Sequence, residues 1–75
     1  MPSLGMQLEQ ARDDVTQVRG RIEAQTALIE RLKSDGHDTG AAERLLATFL
    51  DLMTKLSMHR DTLEREAEER SHTAN

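Results

Sequence analysis

Cysteine, tryptophan and tyrosine are absent from this sequence of 75 residues, and Phe49 is its only aromatic residue. Without cysteine the chain can form neither a disulfide framework nor a metal site built from thiolates. A chain of this length has room for one small core, and that core cannot be rich in aromatic side chains. We therefore expect a single domain over residues 1–75 that holds no cofactor and no metal.

Long apolar runs and a strongly basic surface are missing as well. No run approaches the ~20 residues of a membrane span, and Met1 to Gly5 lack the basic start and apolar stretch of a signal peptide. The net charge is −4, and the sequence has no basic stripe that could neutralise nucleic-acid phosphates. These features predict a cytoplasmic protein that binds neither membranes nor nucleic acids.

Recognisable catalytic motifs are missing too. The sequence contains no glycine-rich phosphate loop and no serine in a nucleophile setting. Its acids and bases form pairs four residues apart, such as Asp51 with Lys55, which is typical of solvated helix surfaces. We expect no enzymatic activity.

Glycine divides the chain into two long segments that are rich in helix-forming residues. The spacing predicts one helix over about 5–34, a turn over 35–39, a second helix over about 40–70 and a frayed tail over 71–75. Gly36 suits the left-handed residue that closes a helix. Asp38 or Thr39 can cap the second helix, and His37 between them is either a recognition residue or, as we favour, an ordinary turn residue.

Apolar residues recur in both segments at alternating intervals of four and three, the repeat of a coiled coil. The row in the first segment is Leu4, Leu8, Ala11, Val15, Val18, Ile22, Gln25, Ile29 and Leu32, and that in the second is Ala42, Leu45, Phe49, Leu52, Leu56, His59 and Leu63. If the chain folds back at His37, the residue numbers of each facing pair add up to 74. The predicted fold is all-α, an antiparallel two-helix coiled-coil hairpin.

The second helix has more apolar surface than one neighbouring helix covers. Leu46, Leu50 and Met53 form an additional stripe, and Leu28 widens the face of the first helix. A broad apolar face is typical of a helix with more than one neighbour. We therefore predict that two hairpins dimerise through these four leucine and methionine residues into a four-helix bundle.

Two polar residues interrupt the predicted seam. Gln25 either fixes the register or oligomeric state or bonds at the edge of the bundle to water or a side chain. His59 is either a metal ligand or pH switch or, as we favour, a partly exposed histidine near a carboxylate. A metal site needs three or four converging ligands, which His59 alone does not supply.

The stretch from Ile29 through the turn to Asp61 resembles a group of short, uncharacterised alphaproteobacterial helical hairpins. It carries a Gly-His-Asp-Thr turn at 36–39, a Leu-Leu-x-x-Phe segment that ends at Phe49, and a later His-Arg pair. Members often have a second histidine three residues before the position of His59, where this chain has Leu56. The resemblance covers roughly residues 22–63 and implies a helical hairpin of bacterial origin, without implying a function.

Three functional hypotheses follow. The first is a non-enzymatic module for protein–protein interaction and oligomerisation, in which the chain forms a homodimer. The second is a small regulator that docks on a transcription or signalling protein through the apolar stripe of the second helix. The third, and least favoured, is a metal- or ligand-binding bundle centred on His59.

Overall fold

The computed structural model describes residues 2–73 and consists of two helices joined by a short turn. Helix α1 spans Leu4–Ser34 and helix α2 spans Gly40–Thr73. The hairpin measures 61 × 20 × 14 Å. Residues 2–73 contain no strand, so the predicted all-α hairpin is confirmed. Helix α2 continues to Thr73, beyond the predicted end near residue 70, whereas Ala74 and Asn75 of the predicted frayed tail lie outside the described residues.

The turn follows directly from its sequence. Gly36 has a positive φ of 75°, and it closes α1 with two hydrogen bonds that satisfy terminal carbonyls: the backbone N–H of Gly36 donates to Lys33 and that of His37 donates to Leu32. At the start of α2, the Asp38 carboxylate accepts a hydrogen bond from the Gly40 N–H at 3.0 Å. Gly36 therefore has the predicted left-handed conformation, and Asp38, one of the two predicted caps, accepts a hydrogen bond from the first residue of α2.

Two ion pairs establish that the helices run antiparallel. Lys33 lies 3.8 Å from Glu43 beside the turn, and Arg12 lies 3.3 Å from Glu64 near the open end. Both pairs are exposed to solvent, so they contribute little stability. They show that the early part of α1 lies beside the late part of α2.

The seam of α1 is the predicted one. Its buried residues are Ala11, Val15, Val18, Gln25 and Ile29, and Leu4, Leu8, Ile22 and Leu32 on the same row are half-buried. These positions alternate in steps of three and four, so they face α2 along the whole length of α1. The periodicity of this segment was sufficient to identify its buried face.

The predicted seam of α2 is wrong at every second position. The row that packs against α1 consists of Ala42, Leu46, Phe49, Met53, Leu56, Arg60, Leu63 and Ala67, of which only Leu63 is buried and the others are half-buried. Leu45, Leu52 and His59, which were expected in the seam, are exposed. Helix α2 is therefore rotated about its axis relative to the prediction. In the seam, each of these three residues is replaced by the residue that follows it in the sequence.

The core of the hairpin is thin. Among the described residues only Ala11, Val15, Val18, Ile29 and Leu63 are buried apolar residues, and no side chain has an exposed fraction below 2%. In a packed domain a core residue touches neighbours on all sides. Two helices alone cannot provide such surroundings, so this hairpin leaves much of its apolar surface in contact with solvent.

Candidate protein-binding surface

The seam divides the hairpin into two long sides. On one side lie Arg12, Lys33, Glu43 and Glu64, which form the two interhelix ion pairs, and each of them directly follows a seam residue. On the other side lie residues that directly precede a seam residue. Both helices are right-handed and they run antiparallel. A residue that directly precedes a seam residue therefore lies on the same side of the hairpin in α1 as in α2.

Three leucines define the second side, which we call the leucine face. Leu28 of α1 precedes Ile29 in the sequence, and Leu45 and Leu52 of α2 precede Leu46 and Met53. Their exposed fractions are 43%, 45% and 37%, respectively. Scattered exposed leucines are ordinary on a protein surface, but an apolar row on one side of a helical hairpin is typical of an interaction site.

The leucine face continues toward the open end of the hairpin as a polar surface. Seven-residue steps lead from Leu28 to Arg21 and Asp14 on α1, and from Leu52 to His59 on α2. Asp14 accepts a hydrogen bond from the Gln10 side chain at 2.9 Å. Leu28 and Leu45 therefore lie in the half nearest the turn, Leu52 lies near the middle at the level of Arg21, and Asp14 and His59 lie toward the open end.

A shallow cleft of about 380 Å³ lies at the open end of this side. Its walls include Met6, Ala11, Asp14 and His59. The presence of Asp14 and His59 in one cleft confirms that their two rows share a side of the hairpin. Among the side chains that the structure describes, those of residues 2–71, no group of three histidine, aspartate or glutamate residues is arranged to hold a metal ion.

The four residues predicted to form a dimer interface do not share one surface. Leu46 and Met53 are half-buried in the seam with α1. Leu50 is 49% exposed but follows the seam residue Phe49, which places it on the side of the ion pairs. Leu28 alone belongs to the leucine face. Leu45 and Leu52, the other two members, were assigned to the seam from the sequence.

The two polar residues of the predicted seam have different positions. Gln25 is buried, and its Nε2 donates a hydrogen bond to the backbone oxygen of Ala42 at 2.9 Å. His59 is exposed beside the cleft, and Arg60 takes its place in the seam with a 3.0 Å ion pair to Asp61. The alkyl part of the arginine can cover the seam while its charged head reaches solvent.

The turn residues do not line the cleft beside Asp14 and His59. Gly36, His37 and Asp38 are exposed, and Thr39 is half-buried where α2 begins. Gly36 and Asp38 have the structural contacts already described. The carbonyl oxygen of Thr39 accepts the first hydrogen bond of α2, from Glu43, at 2.8 Å.

Comparison with known proteins gives no family. No protein-family model matches the chain, and no curated protein or solved structure is significantly similar to it. The resemblance to alphaproteobacterial hairpins stays a prediction. In the described residues neither helix is long and apolar enough to cross a membrane.

Proposed function

We propose that this chain is a non-enzymatic interaction module that oligomerises or binds another helical protein through its leucine face. The observation that carries the proposal is the exposure of Leu28, Leu45 and Leu52 together on the side of the hairpin opposite the Arg12–Glu64 and Lys33–Glu43 ion pairs. An apolar helical face is suited to pack against the apolar face of another helix.

The thin core supports the same proposal. A two-helix hairpin whose buried apolar residues are mostly small has little burial to offset the conformational entropy of two helices of 31 and 34 residues. Covering the leucine face with further helices adds the missing burial. Association is then part of how the chain achieves its stable form.

Site-specific photo-crosslinking in the cells that make the protein tests this proposal. A photoreactive phenylalanine analogue at Leu45 probes the leucine face, and the same analogue at Met58 is the control, since Met58 is 64% exposed and lies on the outer surface of α2. We expect a defined adduct from position 45 and none from position 58. Mass spectrometry of the adduct distinguishes a second copy of the chain from a regulatory target such as a transcription or signalling protein.

An absence of adducts at position 45, with the protein folded and abundant, would contradict the proposal. Equal adducts at both positions would contradict it as well, because they would show that the leucine face has no special role in binding.

A further inference from the structure

We infer that the leucine face is covered by a second copy of this chain, with the two turns at the same end of the resulting four-helix bundle. This inference rests on the proposed function, which it makes specific in two ways. It names the occupant of the surface, and it selects one of two possible symmetric arrangements.

The size of the face suits a second copy. The two larger dimensions of the hairpin, 61 and 20 Å, outline a side of about 1,200 Å², which has room for the roughly 800 Å² that each partner of a stable complex typically contributes. A second hairpin has the same length and width, so it covers the leucines without leaving an overhang. A two-fold dimer is also the commonest protein assembly.

Two arrangements are possible for a two-fold dimer through this face. If the symmetry axis is parallel to the helices, both turns lie at one end, and each α1 packs against α2 of the second copy. If the axis is perpendicular to the helices, the turns lie at opposite ends, and each α1 packs against its own symmetry mate. The distribution of residues along the face decides between them.

With the turns together, the leucines of the two copies meet. Leu28 lies opposite Leu45 of the second copy, and Asp14 lies opposite the second copy's His59, since each of these pairs occupies the same level of the hairpin. Leu52 lies opposite the second copy's Arg21, whose alkyl part can pack on the leucine, and an acid faces an imidazole nearer the open end.

With the turns apart, the leucine half of one copy covers the polar half of the other. Leu28 and Leu45 then lie opposite Gln7 and Glu66, although Arg21 gains Asp14 as a partner. Exposed ion pairs contribute little to stability, and burial of apolar surface is the dominant favourable term in association. The arrangement with the turns together is therefore favoured.

The distance between two spin labels tests the arrangement. The chain has no cysteine, so Ser34→Cys places a single nitroxide on each copy beside the turn, where Ser34 is exposed. With the turns together, the two labels are about 15–30 Å apart, because packed helix axes are separated by only 8–10 Å. With the turns apart, the distance approaches the 61 Å length of the hairpin.

A label near the middle of α1 serves as the matched control. Gly20→Cys adds a side chain where no other atom lies within 4 Å of its Cβ position. Since this residue is near the centre of the hairpin, its labels give a measurable distance in both arrangements: about 30 Å with the turns together, where the two α1 helices lie diagonally across the bundle, and about 10–25 Å with the turns apart, where they are adjacent. A measurable distance at position 20 establishes that labelled dimers are present in the sample.

Each outcome bears on the inference. A molar mass of twice 8.5 kDa in light scattering, with a short distance at position 34, supports it. A dimer with a long distance at position 34 overturns it and leaves the proposed function standing. A monomer at every concentration also overturns it, and photo-crosslinking at Leu45 then decides separately whether the proposed function holds.

Substitution of the face provides a second measurement. The combined variant Leu28→Gln, Leu45→Gln and Leu52→Gln should lose the dimer, and Leu50→Gln on the opposite side should retain it. A dimer unchanged by the triple substitution would overturn the inference. The label distances are measured on an intact leucine face, so they test the inference even if the triple variant does not fold.

Discussion

The side-chain amide of Gln25 on α1 donates a hydrogen bond to the backbone carbonyl oxygen of Ala42 on α2, over 2.9 Å. Gln25 is 9% exposed, and it is the one buried polar residue in the described part of the chain. Because the carbonyl of Ala42 is near the start of α2, this bond connects the C-terminal third of α1 to the first turn of α2.

Replacement of Gln25 by leucine tests whether this bond provides stability or specificity. The Ala42 carbonyl keeps its own helical hydrogen bond in the variant, so no buried group loses its only partner and the free energy of unfolding should stay equal or rise by up to ~1 kcal/mol. A seam that lacks this buried polar residue should instead populate several oligomeric states. Urea unfolding at fixed protein concentration and light scattering measure the two effects.

Thr16→Leu, at an exposed position of α1 on the side away from the leucine face, is the control for Gln25→Leu, and it should leave the oligomeric state unchanged and alter the free energy of unfolding by at most about 0.5 kcal/mol. A loss of more than about 2 kcal/mol in Gln25→Leu would mean that the bond is mainly a source of stability. A single unchanged oligomeric state would rule out a role in specificity.

The sequence was sufficient to predict the helices, the turn and the seam of α1, because each depends on local signals or on one unambiguous row of apolar residues. It was insufficient to predict which face of α2 packs against α1, because α2 has two overlapping rows of mainly apolar residues. Both rows contain Ala42, Phe49, Leu56 and Leu63, and they differ only in the choice between adjacent residues, such as Leu45 or Leu46. A modest rotation of α2 exchanges the rows at nearly equal apolar burial.

The same ambiguity caused the candidate surface to be misplaced. Leu45 and Leu52 were expected in the seam, so Leu46 and Met53 were assigned to the outside. The incorrect row is favoured in the sequence because it contains His59, whereas the observed row contains Arg60 at that point, and histidine is shorter and less polar than arginine. The structure places the longer side chain in the seam, and its aliphatic part can supply the packing there.

Truncation of seam and surface leucines should have unequal effects. Leu63→Ala removes a side chain that is 5% exposed, and it should lower the free energy of unfolding by 2–4 kcal/mol. Leu50→Ala removes one that is 49% exposed, outside both the seam and the leucine face, and it should cost about 1 kcal/mol or less. Denaturant unfolding at one protein concentration compares them. Similar losses in both variants would contradict the burial pattern.

Arg60 occupies a seam position that favours an apolar residue. Its ion pair with Asp61 involves side chains that are 27% and 54% exposed, so the pair stabilises the protein little. Arg60→Leu should therefore raise the free energy of unfolding by about 1 kcal/mol through apolar burial. Arg44→Leu, at an exposed position of α2, should leave it unchanged. Thermal unfolding distinguishes the two, and a destabilised Arg60→Leu protein would show that the charge itself is needed.

Replacement by alanine should have opposite effects on stability at two of the glycines. Gly20 lies within α1, and a Cβ added there has no atom within 4 Å, so Gly20→Ala should stabilise the hairpin by about 1 kcal/mol through higher helix propensity. Gly36 also has open space around it, but its φ of 75° strains any L side chain, so Gly36→Ala should destabilise by about 1 kcal/mol. Circular dichroism during heating measures both shifts. Because neither substitution creates a steric clash, opposite signs isolate the backbone effect, and a stabilised Gly36→Ala variant would mean that α1 does not end with a left-handed residue.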